Sequence, residues 1–244
     1  MANFLLIHGA GTGSWLWDAE AAVLRERGHT VLAPTLTGVG DRADEGGPDT
    51  NLSTHVGEVV EQLDADPSRR WVLVGFSYGG LVAGGAIDRV PDRVAALIYL
   101  DAFVPVPGRS MFDLMPAQLR DMLEAGTRIS GSGWQMPPVP LERLGSLGAI
   151  GRGVDLDQVR DLLARRAGHP IGTYREPAGV PNPRARDVPC VYVACTDHSA
   201  QDPMTAVVAR VRESGIPVHS LPTGHFPMLT MPVELADLLE TLIP

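Results

Sequence analysis

The 244 residues carry 29 acidic and 20 basic side chains, a formal net charge of −9, and 44% of them are apolar. One domain with a sizeable core fits these figures, and the acidic balance argues against nucleic acid or an anionic membrane surface as a partner. All 20 basic residues are arginine, which excludes a lysine Schiff base, a P-loop lysine and a Tyr-x-x-x-Lys reductase site.

Asn3 to Ile7 is an apolar run that reads as a buried strand, and Met1-Ala-Asn-Phe enters it without a basic start. No apolar run approaches the roughly 18 residues a membrane helix needs, so a cytoplasmic chain without membrane contact is expected. His8-Gly9-Ala10-Gly11-Thr12-Gly13 forms a glycine-rich exit, and a helix is expected from about Ser14, which can cap it. Such a turn serves either a dinucleotide pyrophosphate or an oxyanion. Position 14 is serine rather than the third glycine of a dinucleotide fingerprint, and the next strand ends in Ala33-Pro34 with no ribose-binding acid. The oxyanion use is favoured.

The second strand is His29 to Ala33, followed by a polar loop from Thr35 to Asn51 and a helix from about Ser53 to Asp64. His55 lies inside that helix and reads as structural. Trp71 to Val74 then forms a β-rich run buried on both faces, meeting Gly75-Phe-Ser77-Tyr-Gly79, which matches G-x-S-x-G. A strand, a strained turn bearing one serine, and a glycine-rich helix make a nucleophile elbow. At Gly75 and Gly79 a Cβ would crowd the neighbouring backbone. Strand four is Val94 to Leu100, ending at Asp101-Ala-Phe103.

The alternation breaks between residues 104 and 186, where proline and glycine are frequent and two helical patterns stand out, Met111 to Glu124 and Leu156 to Ala167. An insertion at a strand's C-terminal end is where a cap would lie. The alternation resumes with the strand Cys190 to Cys195, a helix from about Pro203 to Ser214, the strand Val218 to Leu221, and a closing helix from Pro232 to about Leu242. The two cysteines are five apart in one strand and so face opposite ways, which argues against a disulfide between them. The expected fold is α/β: a mostly parallel, six-stranded, doubly wound sheet built from residues 1–103 and 187–244, with a helical cap at 104–186 inserted after the fourth strand.

A serine hydroxyl becomes a useful nucleophile only when a base takes its proton, and that base needs an orienting carboxylate. Catalytic groups gather at the C-terminal ends of strands in such sheets. Those ends offer Ser77, Asp101, Asp197 and His225. His225, alone in a Gly-His turn after the last strand, is the expected base. Asp197 is the favoured acid, with Asp101 read as an anchor where the cap begins. His8 is expected to bond loop backbone, and His198 to face solvent.

His8-Gly-Ala-Gly-Thr-Gly-Ser-Trp15, Pro34-Thr-Leu-Thr-Gly38-Val-Gly40-Asp-Arg42, Gly75-Phe-Ser77-Tyr-Gly79-Gly80 and His225-Phe-Pro-Met-Leu together resemble one group. It is the α/β-hydrolase superfamily, in the branch of bacterial EstC-like esterases, plant methylesterases and hydroxynitrile lyases. The likeness covers nearly the whole chain and is weakest from about Arg128 to Arg186. It implies an α/β-hydrolase fold acting on small esters, a triad of Ser77, Asp197 and His225, and oxyanion donors at the backbone N–H of Ala10 and Tyr78. Lyases of this branch carry a threonine at the position of Gly9 and a lysine after the catalytic histidine. Here Gly9 and Phe226 stand there, so an esterase is implied and a lyase is not.

The expected activity is therefore a serine carboxylic ester hydrolase acting on a small-molecule ester without metal or cofactor. Gly9, Thr12, Phe103 and Phe226 are expected at the substrate, together with Met111, Met115 and Trp134 from the cap; Phe112, Leu114 and Met136 are further apolar candidates there. The sequence carries no signal of oligomeric state, so a homodimer stays open. A thioesterase, acyltransferase or lactone-opening enzyme would use the same triad, and a receptor-like binding protein could use the same pocket.

Overall fold

The computed structural model describes residues 1–140, 160, 163–197 and 203–243. Its strands are β1 (Asn3–Ile7), β2 (Thr30–Leu32), β3 (Trp71–Phe76), β4 (Val94–Leu100), β5 (Gln135–Met136), β6 (His169–Pro170), β7 (Cys190–Cys195) and β8 (Val218–Leu221). Six of them form one sheet in the order β2-β1-β3-β4-β7-β8, every pairing parallel, while β5 and β6 make a separate two-stranded antiparallel pair. The chain starts at β1, steps outward to β2, then crosses to β3 on the other side of β1. The order reverses there, and a crevice opens at the strands' C-terminal ends.

Period-two alternation divides the sheet's side chains between two cores. Leu5, Ile7, Leu73, Leu97 and Tyr99 point into one, and Phe4, Leu6, Val72, Val74, Ile98 and Leu100 into the other. All six residues of β3 are buried, which is why that stretch reads as a continuous apolar run rather than an alternating one.

Helices cover both faces. The helices α2 (Leu52–Asp64) and α3 (Gly79–Arg89) pack on the first core, and α1 (Asp18–Glu26) with the closing helix Pro232–Thr241 on the second. Asn51 caps α2 through a reciprocal box with Thr54. A helix expected to start at Ser14 begins instead as a 3-10 turn over Ser14–Trp17 that leads into α1, and no side chain caps it. The Thr35 hydroxyl takes the Ser14 N–H at 2.9 Å.

Between β4 and β7 the expected helix over 111–124 is two helices, α4 (Met111–Leu114) and α5 (Ala117–Ser130). Pro116 divides them: its ring disfavours helical backbone at Met115, which is extended at φ −114° and ψ 162°. Ser110 and Asp113 close a capping box on the first. The helical pattern expected over 156–167 falls mostly outside the described residues, as does His198. No helix among the described residues is long and apolar enough to cross a membrane.

Candidate active site

The elbow forms because glycine permits contacts that nothing else would. A Cβ on Gly79 would lie 2.5 Å from the carbonyl oxygen of Ile7 and 2.7 Å from that of His8, and one on Gly75 2.7 Å from the carbonyl oxygen of Gly79. With strand and helix this close, the residue between them is forced into the left-handed region, and Ser77 has φ +54°. Its backbone is fixed on both sides: the Ser77 N–H donates to Leu100 C=O, and the Ser77 C=O accepts from Phe103 N–H at 3.0 Å. A Cβ on Gly9 would stand 3.1 Å from that of Ser77, so the β1 exit loop lies directly beside the serine.

Asp197 is the acid expected to serve His225, but the carboxylate found hydrogen-bonded to His225 is that of Asp101. Asp101 is wholly buried at the end of β4, and its Oδ2 lies 2.6 Å from Nδ1 of His225. Its Oδ1 accepts the Cys195 N–H at 3.1 Å, and its own N–H donates to Val193 C=O at 2.7 Å. A left-handed backbone, φ +42°, turns the carboxylate across β7 towards the loop that follows β8. Asp197 lies half-buried, its N–H extending the β7–β8 ladder to Thr223 C=O at 2.9 Å. The sequence offered both acids at strand ends; Asp101 follows β4, which lies between the serine strand and β7.

With its Nδ1–H given to Asp101, His225 presents Nε2 as the acceptor. Its ring packs against Phe76 at 4.7 Å and Phe226 at 5.4 Å. His225 and Ser77 line the same cleft of about 190 Å³. No hydrogen bond joins Ser77 Oγ to His225 among the described residues, and such contacts commonly tighten only around substrate. Among the described residues no acceptor takes the N–H of Ala10 or of Tyr78. Gly11 N–H is engaged, donating to His169 Nδ1 at 3.1 Å.

Three buried histidines stiffen this end of the sheet, and each is held as a neutral tautomer. His8 donates from Nδ1 to Gly9 C=O at 2.8 Å and accepts Leu36 N–H at Nε2, as expected of a loop-bonding residue. Burial lowers it from 6.5 to about 4. His55 in α2 gives Nε2–H to Thr37 C=O at 2.8 Å and accepts the Tyr78 hydroxyl at 2.9 Å. His169, accepting from Gly11, donates to the Thr173 hydroxyl at 2.9 Å. Burial pushes both below the ordinary histidine value, and the Tyr78 phenol far above its own. Thr12 hydrogen-bonds Gly9 C=O at 2.9 Å.

Of the residues expected at the substrate, Gly9, Thr12, Met136 and Phe226 line the cleft, and so does Ala10, expected as an oxyanion donor. Phe103, Met111 and Phe112 are instead buried in the core beneath it, and Leu114 and Met115 pack against that core. Trp134 stands over Gly46 in the loop after β2. Leu123, Pro137, Arg166, His169 and Tyr174 are among the lining residues that the sequence reading missed. Their only sequence signal was membership of the inserted segment. Among the described residues no group of three or more His, Cys, Asp or Glu could hold a metal ion.

Similarity to known proteins follows the same lines. A carbendazim hydrolyzing esterase of Nocardioides sp. (strain SG-4G) is 34% identical over 250 residues, spanning 99% of this chain and all of that one. Polyneuridine aldehyde esterase of Rauvolfia serpentina is 30% identical over 112 residues, a match of 45% of this chain and 42% of that one. An extracellular α/β-hydrolase from a Paenibacillus species superposes with a TM-score of 0.82 at 21% identity, covering 100% of this chain and 99% of that one. The model of the α/β hydrolase family matches residues 4–238, and to that family this chain belongs.

Proposed function

We propose that the protein is a serine carboxylic ester hydrolase acting through an acyl-enzyme on Ser77. The observation that carries this reading is the buried Asp101 carboxylate 2.6 Å from His225 Nδ1, with His225 and Ser77 lining one cleft. Esterases among its relatives support it, one of them along the full chain.

In this mechanism His225 Nε2 takes the Ser77 proton as Oγ attacks the ester carbonyl. Asp101 holds the ring in the required tautomer and stabilises the imidazolium. The unengaged N–H groups of Ala10 and Tyr78 receive the oxyanion, each well-placed donor being worth about 3 kcal/mol in the transition state. The proton passes from His225 to the leaving alkoxide, and water, activated by the same histidine, releases the acid and frees Ser77. A cleft near 190 Å³ is smaller than the roughly 300–1,000 Å³ of drug-sized pockets, so short acyl or alcohol groups fit it. Phe76, Leu123, Met136, Tyr174 and Phe226 give that group an apolar or aromatic wall.

The test is hydrolysis of p-nitrophenyl esters of increasing acyl length by the wild type and by Ser77→Ala. Turnover of the short esters, lost in the variant, is the expected result. A wild type inactive on all of them, with Ser77 unlabelled by a fluorophosphonate, would overturn the reading.

A further inference from the structure

Among the described residues, Arg166 is a cation with no anion beside it. It lines the cleft that holds Ser77 and His225, yet among the described residues no Asp or Glu lines that cleft. Neighbouring arginines are engaged: Arg165 pairs with Asp41 and Arg42 with Glu45 and Glu58. Among the described residues the Arg166 side chain makes one hydrogen bond, from Nε to the Leu163 carbonyl at 3.0 Å, and no carboxylate meets its guanidinium. The side chain is half-buried, and burial alone lowers its affinity for its proton. A guanidinium drawn out of water regains that energy from a planar anion, which can take both Nη groups at once.

Its position is also fixed relative to the reacting bond. Ala167 N–H donates to Gly11 C=O at 3.0 Å, and Gly11 N–H donates to His169 Nδ1 at 3.1 Å. These two bonds clamp the segment bearing Arg166 onto the loop that carries Ala10. A group held by Arg166 therefore stands at a set distance from the carbonyl held at Ser77, which is a way of choosing substrates by length as well as charge.

Resting on the hydrolase reading above, we propose that Arg166 is a substrate-anchoring residue and that the substrate is a short ester bearing a second, anionic group, a half-ester of a small dicarboxylic acid, whose free carboxylate pairs with the guanidinium. In a chain of net charge −9, this places positive charge in the cleft against the field of the surface.

The experiment compares mono-p-nitrophenyl succinate and glutarate with the neutral butyrate and valerate esters, in the wild type, Arg166→Gln and Arg166→Lys. The wild type is expected to favour the charged esters in kcat/KM. Arg166→Gln should lower the charged-to-neutral ratio at least tenfold, mainly through KM, and Arg166→Lys should restore part of it. A wild type that prefers the neutral esters, or a ratio unmoved in Arg166→Gln, would overturn the anchor while leaving the esterase standing. Should no ester be turned over, calorimetry with monomethyl succinate still decides: binding to Ser77→Ala that weakens at least tenfold in Ser77→Ala/Arg166→Gln upholds the anchor, and binding that is absent or unchanged refutes it.

Discussion

At the scale of single residues, the carboxylate on His225 Nδ1 sets which ring nitrogen is left as the acceptor. Asp101 is buried, shares its two oxygens between His225 and the Cys195 N–H, and sits in a left-handed backbone that only a structural demand would hold. Asp101→Asn keeps the shape but offers an N–H or a neutral oxygen where a carboxylate stood. It should lower kcat by about 10³–10⁴, as loss of the orienting acid does in serine triads generally. Asp197→Asn should cost less than about tenfold, since the carboxylate hydrogen-bonded to His225 remains. Steady-state kinetics on one short ester, with both variants side by side, checks the assignment; the reverse ranking would return the acid to Asp197.

At the scale of elements, the elbow is a packing problem solved by glycine. The obstacles to a methyl on Gly79 are the carbonyl oxygens of Ile7 and His8, which are backbone and cannot rotate away. Gly79→Ala should therefore push α3 off β1 and cost about 1–3 kcal/mol, read from the midpoint of a urea melt, with activity falling as Ser77 shifts. This part was legible in the sequence, because the glycines, the buried run of β3 and the serine declare the same turn. The strand limits of β1, β4 and β7 were legible for a related reason: strands covered on both faces show as short apolar runs bounded by turn residues. Elsewhere the information is tertiary. Whether Met111 or Leu123 faces the substrate depends on how the inserted segment docks, and helical periodicity cannot say. The break between α4 and α5 was readable from Pro116, which disfavours helical backbone at Met115. Asp101 and Asp197 look alike from the sequence, since each follows a strand. Only the sheet order and the turn at Asp101 separate them.

At the scale of the whole molecule, buried titratable groups of opposite kinds should give the fold a stability maximum. His8, His55 and His169 are held neutral and below their ordinary value, His8 at about 4. In the unfolded chain they would protonate near 6.5, so below that pH the unfolded state binds more protons than the native one. Their contribution is full above about 6.5 and is lost as pH falls towards about 4. Glu20 works the other way. Its side chain is completely buried on α1 with neither carboxyl oxygen hydrogen-bonded, and burial raises it from 4.5 to about 8. Native Glu20 keeps its proton where the unfolded chain has lost it, so stability falls as pH rises from about 4.5 to about 8. One proton corresponds to a slope of about 1.4 kcal/mol per pH unit. Below about 6.5 three histidines oppose one glutamate and stability climbs with pH; above it Glu20 acts against an otherwise flat background. Thermal melts from pH 5 to 9 should thus peak between about 6 and 7. Glu20→Gln, which keeps the shape and cannot ionise, should flatten the limb from about 6.5 to 8 and leave the acid limb steep. An alkaline limb that survives this substitution would mean that Glu20 finds water or a partner in the native fold and ionises there without cost.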